Sequence, residues 1–138
     1  LKLLLAKNSF YTLLLGESKA KKEIQNALEA LTKKNALFCV SLASVQAILS
    51  MERDFSRREI LWAQSKNFFA EILPVKKEEI SLALKLSASA DLNWEEWLDV
   101  ASASLSDLDG ILSLDSRYRK QTLMKVLLAE EIDLDGVA

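Results

Sequence analysis

Histidine is absent from this 138-residue sequence, cysteine and proline occur once each, and glycine occurs three times. Each shortage excludes something. Without imidazole, neither Ser-His-Asp nor Cys-His nucleophilic catalysis can be built, and every zinc site that needs a histidine ligand is ruled out. Acid–base or metal chemistry is left to Asp, Glu, Lys and Tyr. The single cysteine, Cys39, lies in the apolar run Ala36-Leu-Phe-Cys-Val40 and reads as a packing residue, since no histidine is there to activate its thiol. Gly16, Gly110 and Gly136 are too scattered for a G-x-G-x-x-G turn or for a phosphate loop ending in Gly-Lys-Ser/Thr, which sets aside dinucleotide-binding and P-loop enzymes. No apolar run approaches the roughly 18 residues that a membrane-crossing helix needs. The apolar start, Leu1 to Leu5, is shorter than a signal-peptide core and lacks its small-residue cleavage pattern. A cytoplasmic protein with no membrane contact is expected.

What is present is half apolar and 28% charged, with 18 basic and 20 acidic side chains for a net charge of −2. That composition belongs to globular domains, and the balance gives no global attraction to nucleic acid, so any such binding must come from a local patch. The length suits one domain over residues 1–138, large enough for a conventional core. No internal repeat, low-complexity linker or composition shift divides it.

The run from Leu1 to Leu5 reads as a strand buried on both faces, because it lacks polar alternation and a helical pattern follows at once. A short helix is expected from Ser9 to Leu15, with Asn8 as its cap and Gly16 as its stop. Ser18 caps a second helix whose Ala20, Ile24, Ala27, Leu28 and Leu31 recur at helical spacing, while Lys19, Lys21 and Lys22 form a solvated face. A second strand, Ala36 to Ser41, leads to a helix opened by Ser44 with Val45, Ile48 and Leu49 inward. Ser56-Arg-Arg-Glu59 reads as a capping box for a helix to about Glu71. Ile72 to Val75 is a short strand placed near an edge by Pro74. A helix from Lys77 to Ala90 carries Ile80, Ala83, Leu84 and Ser87 on one face. Asn93-Trp-Glu-Glu96 is a second capping box, followed by the stripe Trp94, Trp97, Leu98, Ala101 and Leu105. Gly110 to Leu114 is a fourth strand ended by Asp115, and Met124 to Leu128 is a fifth strand candidate. Alternation of strands and helices predicts a three-layer α/β/α sandwich around a parallel sheet of four or five strands. Ligand sites in such sheets lie beyond the carboxyl ends of strands, which singles out Ala6, Lys7 and Asn8.

Several stretches together resemble the PIN domain family of metal-dependent ribonucleases, many of them toxins of bacterial toxin–antitoxin pairs. Leu3-Leu-Leu-Ala-Lys-Asn8 is similar to the family's apolar first strand ending in Asp-Thr-Asn, with Ala6 in place of the acid. Val40-Ser-Leu-Ala-Ser-Val-Gln-Ala-Ile-Leu49 resembles its second strand, Ser-rich turn and helix, with Ala47 where a Glu is expected. Glu96-Trp-Leu-Asp-Val-Ala-Ser-Ala103 matches the later helix that begins with an acid. Asp109-Gly-Ile-Leu-Ser-Leu-Asp115 matches the Asp-x-Ile-Leu-Thr/Ser-x-Asp strand. The resemblance spans nearly the whole chain. It implies a PIN-like sandwich whose site retains Glu96 and Asp115 as acids and metal ligands, with Asn8 and Ser113 as accessory residues, and has lost acids at Ala6 and Ala47.

In the family about four carboxylates hold one or two Mg²⁺ or Mn²⁺ ions that activate water. With two acids gone, metal affinity falls, and Lys7 beside the vacated site is expected to repel a divalent ion and to neutralise Glu96 or Asp115. No cofactor is therefore expected, with Mg²⁺ or Mn²⁺ only if residual activity exists. Asp99 and Asp109 are the auxiliary acids in that event. Arg117, Arg119 and Lys120, with Tyr118 among them, form a candidate patch for phosphates and one stacked base of single-stranded RNA. Three roles stand open: a catalytically degenerate relative that binds RNA or an antitoxin-like protein, a weakly metal-dependent endoribonuclease, and a non-enzymatic dimerisation or assembly subunit. Each site residue also has a plain structural role to set beside these. Glu96 closes a capping box, Asp115 ends a strand, the Arg117–Lys120 run is a solvated loop, and Trp94 and Trp97 are core or interface.

Overall fold

The computed structural model describes residues 1–89 and 92–132. Five strands, β1 (Lys2–Leu5), β2 (Leu37–Ser41), β3 (Glu71–Leu73), β4 (Gly110–Ser113) and β5 (Val126–Leu128), form one sheet in the order β3-β2-β1-β4-β5. Every pairing is parallel. Leu3, Leu4 and Leu5 are essentially inaccessible, as a central strand covered on both faces requires. Alternate residues divide between two cores. Leu3, Leu5, Phe38, Val40 and Leu112 pack with Phe10, Ile24, Leu28, Leu31 and Ile48 on one face. Leu4, Cys39, Leu73 and Ile111 pack with Ala83, Trp97, Val100 and Ala101 on the other. The helices accordingly split as α1 (Lys7–Leu15), α2 (Ser18–Thr32), α3 (Leu42–Met51) and α4 (Phe55–Phe68) against α5 (Lys77–Leu86) and α6 (Trp94–Leu105). The expected three-layer sandwich is the fold found, and β3 lies at an edge.

Several boundaries and caps differ from expectation. α1 starts at Lys7, two residues early, so Asn8 is an exposed residue inside its first turn and caps nothing; the N-cap is Ala6. Ser18 is likewise the first helical residue of α2, after Glu17, and no side chain caps it. Ser41, not Ser44, caps α3, its Oγ accepting from the Ser44 N–H at 3.1 Å. Asp54 caps α4 through the Arg57 N–H at 3.3 Å, so Ser56 and Glu59 form no box there. That helix stops at Phe68, which lets β3 begin at Glu71.

α5 ends at Leu86 and a single 3₁₀ turn, Ser87–Ser89, follows; Ala90 lies outside the described residues. Its buried residues are Glu79 and Ala83, so Ile80 and Leu84 face solvent instead of the sheet. Glu79 lies on the buried face, its carboxylate accepting the Lys76 N–H at 3.1 Å in the capping box of α5. The box at Asn93 and Glu96 is as expected, and Trp97 is buried, but Trp94 and Leu105 are exposed. Ala129–Glu131 forms one 3₁₀ turn, and residues 133–138 lie outside the described residues. No described helix is long and apolar enough to cross a membrane.

Candidate functional site

In this strand order the chain leaves β1 first toward β2 and β3 and later returns to its other side as β4 and β5, so the topological switch point lies between β1 and β4. At the carboxyl edge there, the turn after β1 and the turn after β4 are laced together. The Ala6 N–H donates to the Leu112 carbonyl at 3.0 Å, and the Leu114 N–H donates to Ser9 Oγ at 2.8 Å. Ser113 Oγ accepts from the Asp115 N–H at 2.8 Å. Asp115 Oδ1 then accepts from the Arg117 N–H at 2.9 Å and starts the 3₁₀ turn Ser116–Lys120.

α6 delivers three more carboxylates to this edge. Its capping box fixes the first: Asn93 Oδ1 accepts the Glu96 N–H at 2.9 Å, and Glu96 Oε1 accepts the Asn93 N–H at 2.9 Å. The other Glu96 oxygen, Oε2, accepts from Arg117 Nη2, while Arg117 Nε donates to Asp115 Oδ2 at 3.0 Å. One guanidinium therefore joins the two acids that sequence reasoning places in the site. The Asp115 hydrogen bond, followed by the charges of Glu96 and Asp115, holds the Arg117 pKa above its ordinary value. Glu95, exposed on the same helix, accepts from the Lys7 ammonium.

The third acid, Asp99, is wholly buried, and its Oδ2 accepts both the Lys7 N–H at 3.0 Å and the Tyr118 hydroxyl at 2.9 Å. α1 begins after an alanine that has no side-chain acceptor, and Asp99 supplies one from across the fold, next to the positive end of the helix. Burial pushes the Asp99 carboxyl up to about 7. The Lys7 N–H, the Tyr118 hydroxyl and the Lys7 charge oppose that rise, and Glu95 adds to it. Burial, then the Asp99 charge and hydrogen bond, raises the Tyr118 hydroxyl pKa well above its usual value.

Between α1, α3 and α6 lies a cavity of about 40 Å³ lined by Lys7, Ser41, Ala47, Glu95 and Asp99 among others. Ala6, which precedes Lys7, is fully buried and does not line it. The structure thus gathers Lys7, Ala47 and Asp99 at one cavity, and Glu96 and Asp115 on Arg117, with Ser113 holding the Asp115 N–H. Asn8 is exposed in α1 with no side-chain hydrogen bond among the described residues. Asp109 is at the opposite edge of the sheet, accepting the Lys2 N–H at 2.7 Å, and is no part of the site.

Two other expectations change. Lys7 pairs with Glu95 instead of Glu96 or Asp115, because Arg117 already occupies those two. Tyr118 is fully buried on Asp99 and has no ring face to offer a base. Of the three cations in the expected phosphate patch, Arg117 is held as above, and Arg119 forks onto Glu131 at 2.6 and 3.0 Å; Lys120 alone has no ion pair among the described residues.

A Mg²⁺ or Mn²⁺ ion asks for several oxygen ligands in a compact shell. Here positions 6 and 47 carry methyl groups, the site-facing oxygens of Glu96 and Asp115 are spent on a guanidinium, and an ammonium stands at the cavity. That donor set does not fit such an ion. No group of three or more His, Cys, Asp or Glu side chains suited to a metal occurs among the described residues.

The architecture places this chain among three-layer α/β/α proteins with a PIN-like parallel sheet. Among solved structures it is similar to VapBC2 from Rickettsia felis bound to a DNA fragment from their promoter, at a TM-score of 0.71 and 12% identity. The match covers 93% of this chain and 98% of that one. No family model and no curated protein matches the sequence. At 12% identity the likeness is one of fold.

Proposed function

We propose that this chain is a PIN-type protein that does not cut RNA and acts by binding, with an antitoxin-like protein as its partner. The observation that carries the reading is the donor set at the carboxyl edge of the sheet, where Arg117 engages both Glu96 and Asp115. The neighbouring cavity between α1, α3 and α6 is lined from α3 by Ala43, Ser44 and Ala47, with no carboxylate from that helix. Ala47 there, and Ala6 before Lys7, supply no oxygen to hold a metal ion or activate water. Lys7, held by Glu95, contributes a fixed positive charge where cleavage would require a carboxylate.

A protein partner is favoured over RNA by the rest of the surface. Two of the three candidate phosphate-binding cations are engaged with carboxylates, and the aromatic between them is inaccessible. Elsewhere a groove of about 630 Å³ opens between α1, α2 and α4, with Phe10, Leu13, Leu14, Leu28, Phe68 and Phe69 in its lining. Lys21, Glu29, Lys33 and Gln64 also line it, a mixed surface suited to the apolar face of an amphipathic helix with charged flanks. The fold neighbour supports a shared assembly by analogy, since it is VapBC2 on promoter DNA.

The test is incubation of the protein with single-stranded RNA and Mn²⁺ beside an Asp115→Ala control. No cleavage is expected from either. Cleavage that disappears in the control overturns the reading. RNA binding is checked in the same samples: affinity that falls steeply with salt, with a log–log slope near about −0.7 for each phosphate contacted, would favour RNA as the ligand instead of a protein.

A further inference from the structure

We propose that Arg117 is the resident cation of this site, its guanidinium permanently taking the place between Glu96 and Asp115 that a divalent ion would need. Glu96 is the telling residue. Its side chain is only 3% exposed, and enclosing a carboxylate to that degree is costly without a hydrogen-bonded positive partner. The capping box satisfies one of its oxygens with a backbone N–H, which leaves the second to the guanidinium. The same planar group turns its Nε to Asp115, so a single fork serves two acids, a geometry that an ammonium cannot copy.

The backbone holds the arginine in this position. Asp115 Oδ1 accepts the Arg117 N–H, and Ser113 in turn holds the Asp115 N–H. Immediately after Arg117, Tyr118 is locked into the core on Asp99. Gln121 closes the loop behind it, donating to the Tyr118 carbonyl at 2.9 Å and the Met124 carbonyl at 2.7 Å. The Arg117 backbone is therefore braced on both sides, while its guanidinium, on a side chain 45% exposed, is held by Glu96 and Asp115. A divalent ion entering here would have to displace a guanidinium already paired with both acids.

It follows that the carboxylate pair is a latent cation site, concealed by the chain's own arginine. Replacing Arg117 with Met removes the charge and keeps much of the apolar stem. The Glu96 carboxylate is then uncompensated, and the melting temperature is expected to fall by about 5 °C. Millimolar MnCl₂ should restore most of that loss in Arg117→Met and leave the wild type unchanged. Adding Glu96→Gln to Arg117→Met should recover stability and abolish the Mn²⁺ response.

An Arg117→Met protein that melts with the wild type overturns the proposal. So does one that is destabilised but indifferent to Mn²⁺, and so does an equal Mn²⁺ response in the wild type or the double variant. If Arg117→Met does not fold, Arg117→Lys carries the same test, since it keeps a charge but loses the fork. A Mn²⁺-dependent rise greater than the wild type's supports the assignment, and equal rises overturn it. The inference deepens the non-cleaving reading, and the two fail separately: RNA cleavage by the wild-type protein sinks the function, whereas a Mn²⁺ response that ignores Arg117 sinks only the arginine's role.

Discussion

Replacing Asp99 with asparagine should change how stability depends on pH more than any other single substitution in this chain. The folded state holds the Asp99 proton up to about pH 7, whereas the unfolded chain releases it near 3.8. Between those values the folded state binds more protons than the unfolded one, so stability falls as pH rises. The Asp99 contribution is fully present below about pH 4 and is lost by the time pH has passed about 7. The gap corresponds to about 4 kcal/mol at most. In Asp99→Asn the new side chain would still accept from the Lys7 N–H and the Tyr118 hydroxyl through its single carbonyl oxygen, since both donors reach the same oxygen of Asp99. Its uncharged amide removes the titration, leaving a constant offset. Urea unfolding of both proteins at intervals from about pH 4 to about pH 8 isolates the effect, because every other titrating group cancels in the difference. The wild type is expected to lose ground steadily to Asp99→Asn across that range and then run parallel to it at higher pH. A difference that stays flat throughout would show that burial does not control this carboxyl, and the account of how α1 is capped would fall with it.

Tyr118→Phe removes one of the two donors that favour ionised Asp99, so the Asp99 pKa should rise further. The cost in stability should be about 1–2 kcal/mol at about pH 8 and smaller at about pH 5, read by the same unfolding experiment. Ile80 and Leu84 stand one turn apart on α5 and are 41% and 60% exposed, so a self-association face is expected there. The wild type is expected to sediment as a dimer through this face and Ile80→Glu with Leu84→Glu as a monomer, with little change in melting temperature; equal sedimentation coefficients would remove that face from consideration.

The sheet is legible in the sequence because its signals are local. Leu3-Leu-Leu5 is an uninterrupted apolar run and Gly110-Ile-Leu-Ser113 keeps to small or apolar residues between Asp109 and Asp115, and a strand buried on both faces has few other ways to look. The Asn93–Glu96 box is equally clear, since both partners lie within four residues. The caps that mislead depend on a choice among nearby Ser, Asp and Asn residues, as at Ser41 and Ser44 or Asp54 and Ser56, which composition cannot settle. Sequence pattern starts α1 too late because the first N–H of that helix is satisfied from 92 positions away, by Asp99. A signal for Asp99 is present nonetheless: an acid among Trp97, Val100 and Ala101 on a helix facing the sheet has to find donors. Arg117 points to RNA in the sequence because a run of cations after a strand resembles a phosphate patch. Its partnership with Glu96 spans 21 positions and becomes visible only when α6 and β4 are laid side by side.

Diffraction from crystals soaked in MnCl₂, collected at the manganese absorption edge, tests the central claim most directly. The account predicts no anomalous peak between Glu96 and Asp115, with the Arg117 guanidinium still bridging them. A peak there, surrounded by oxygen ligands and with Arg117 turned away, would contradict it.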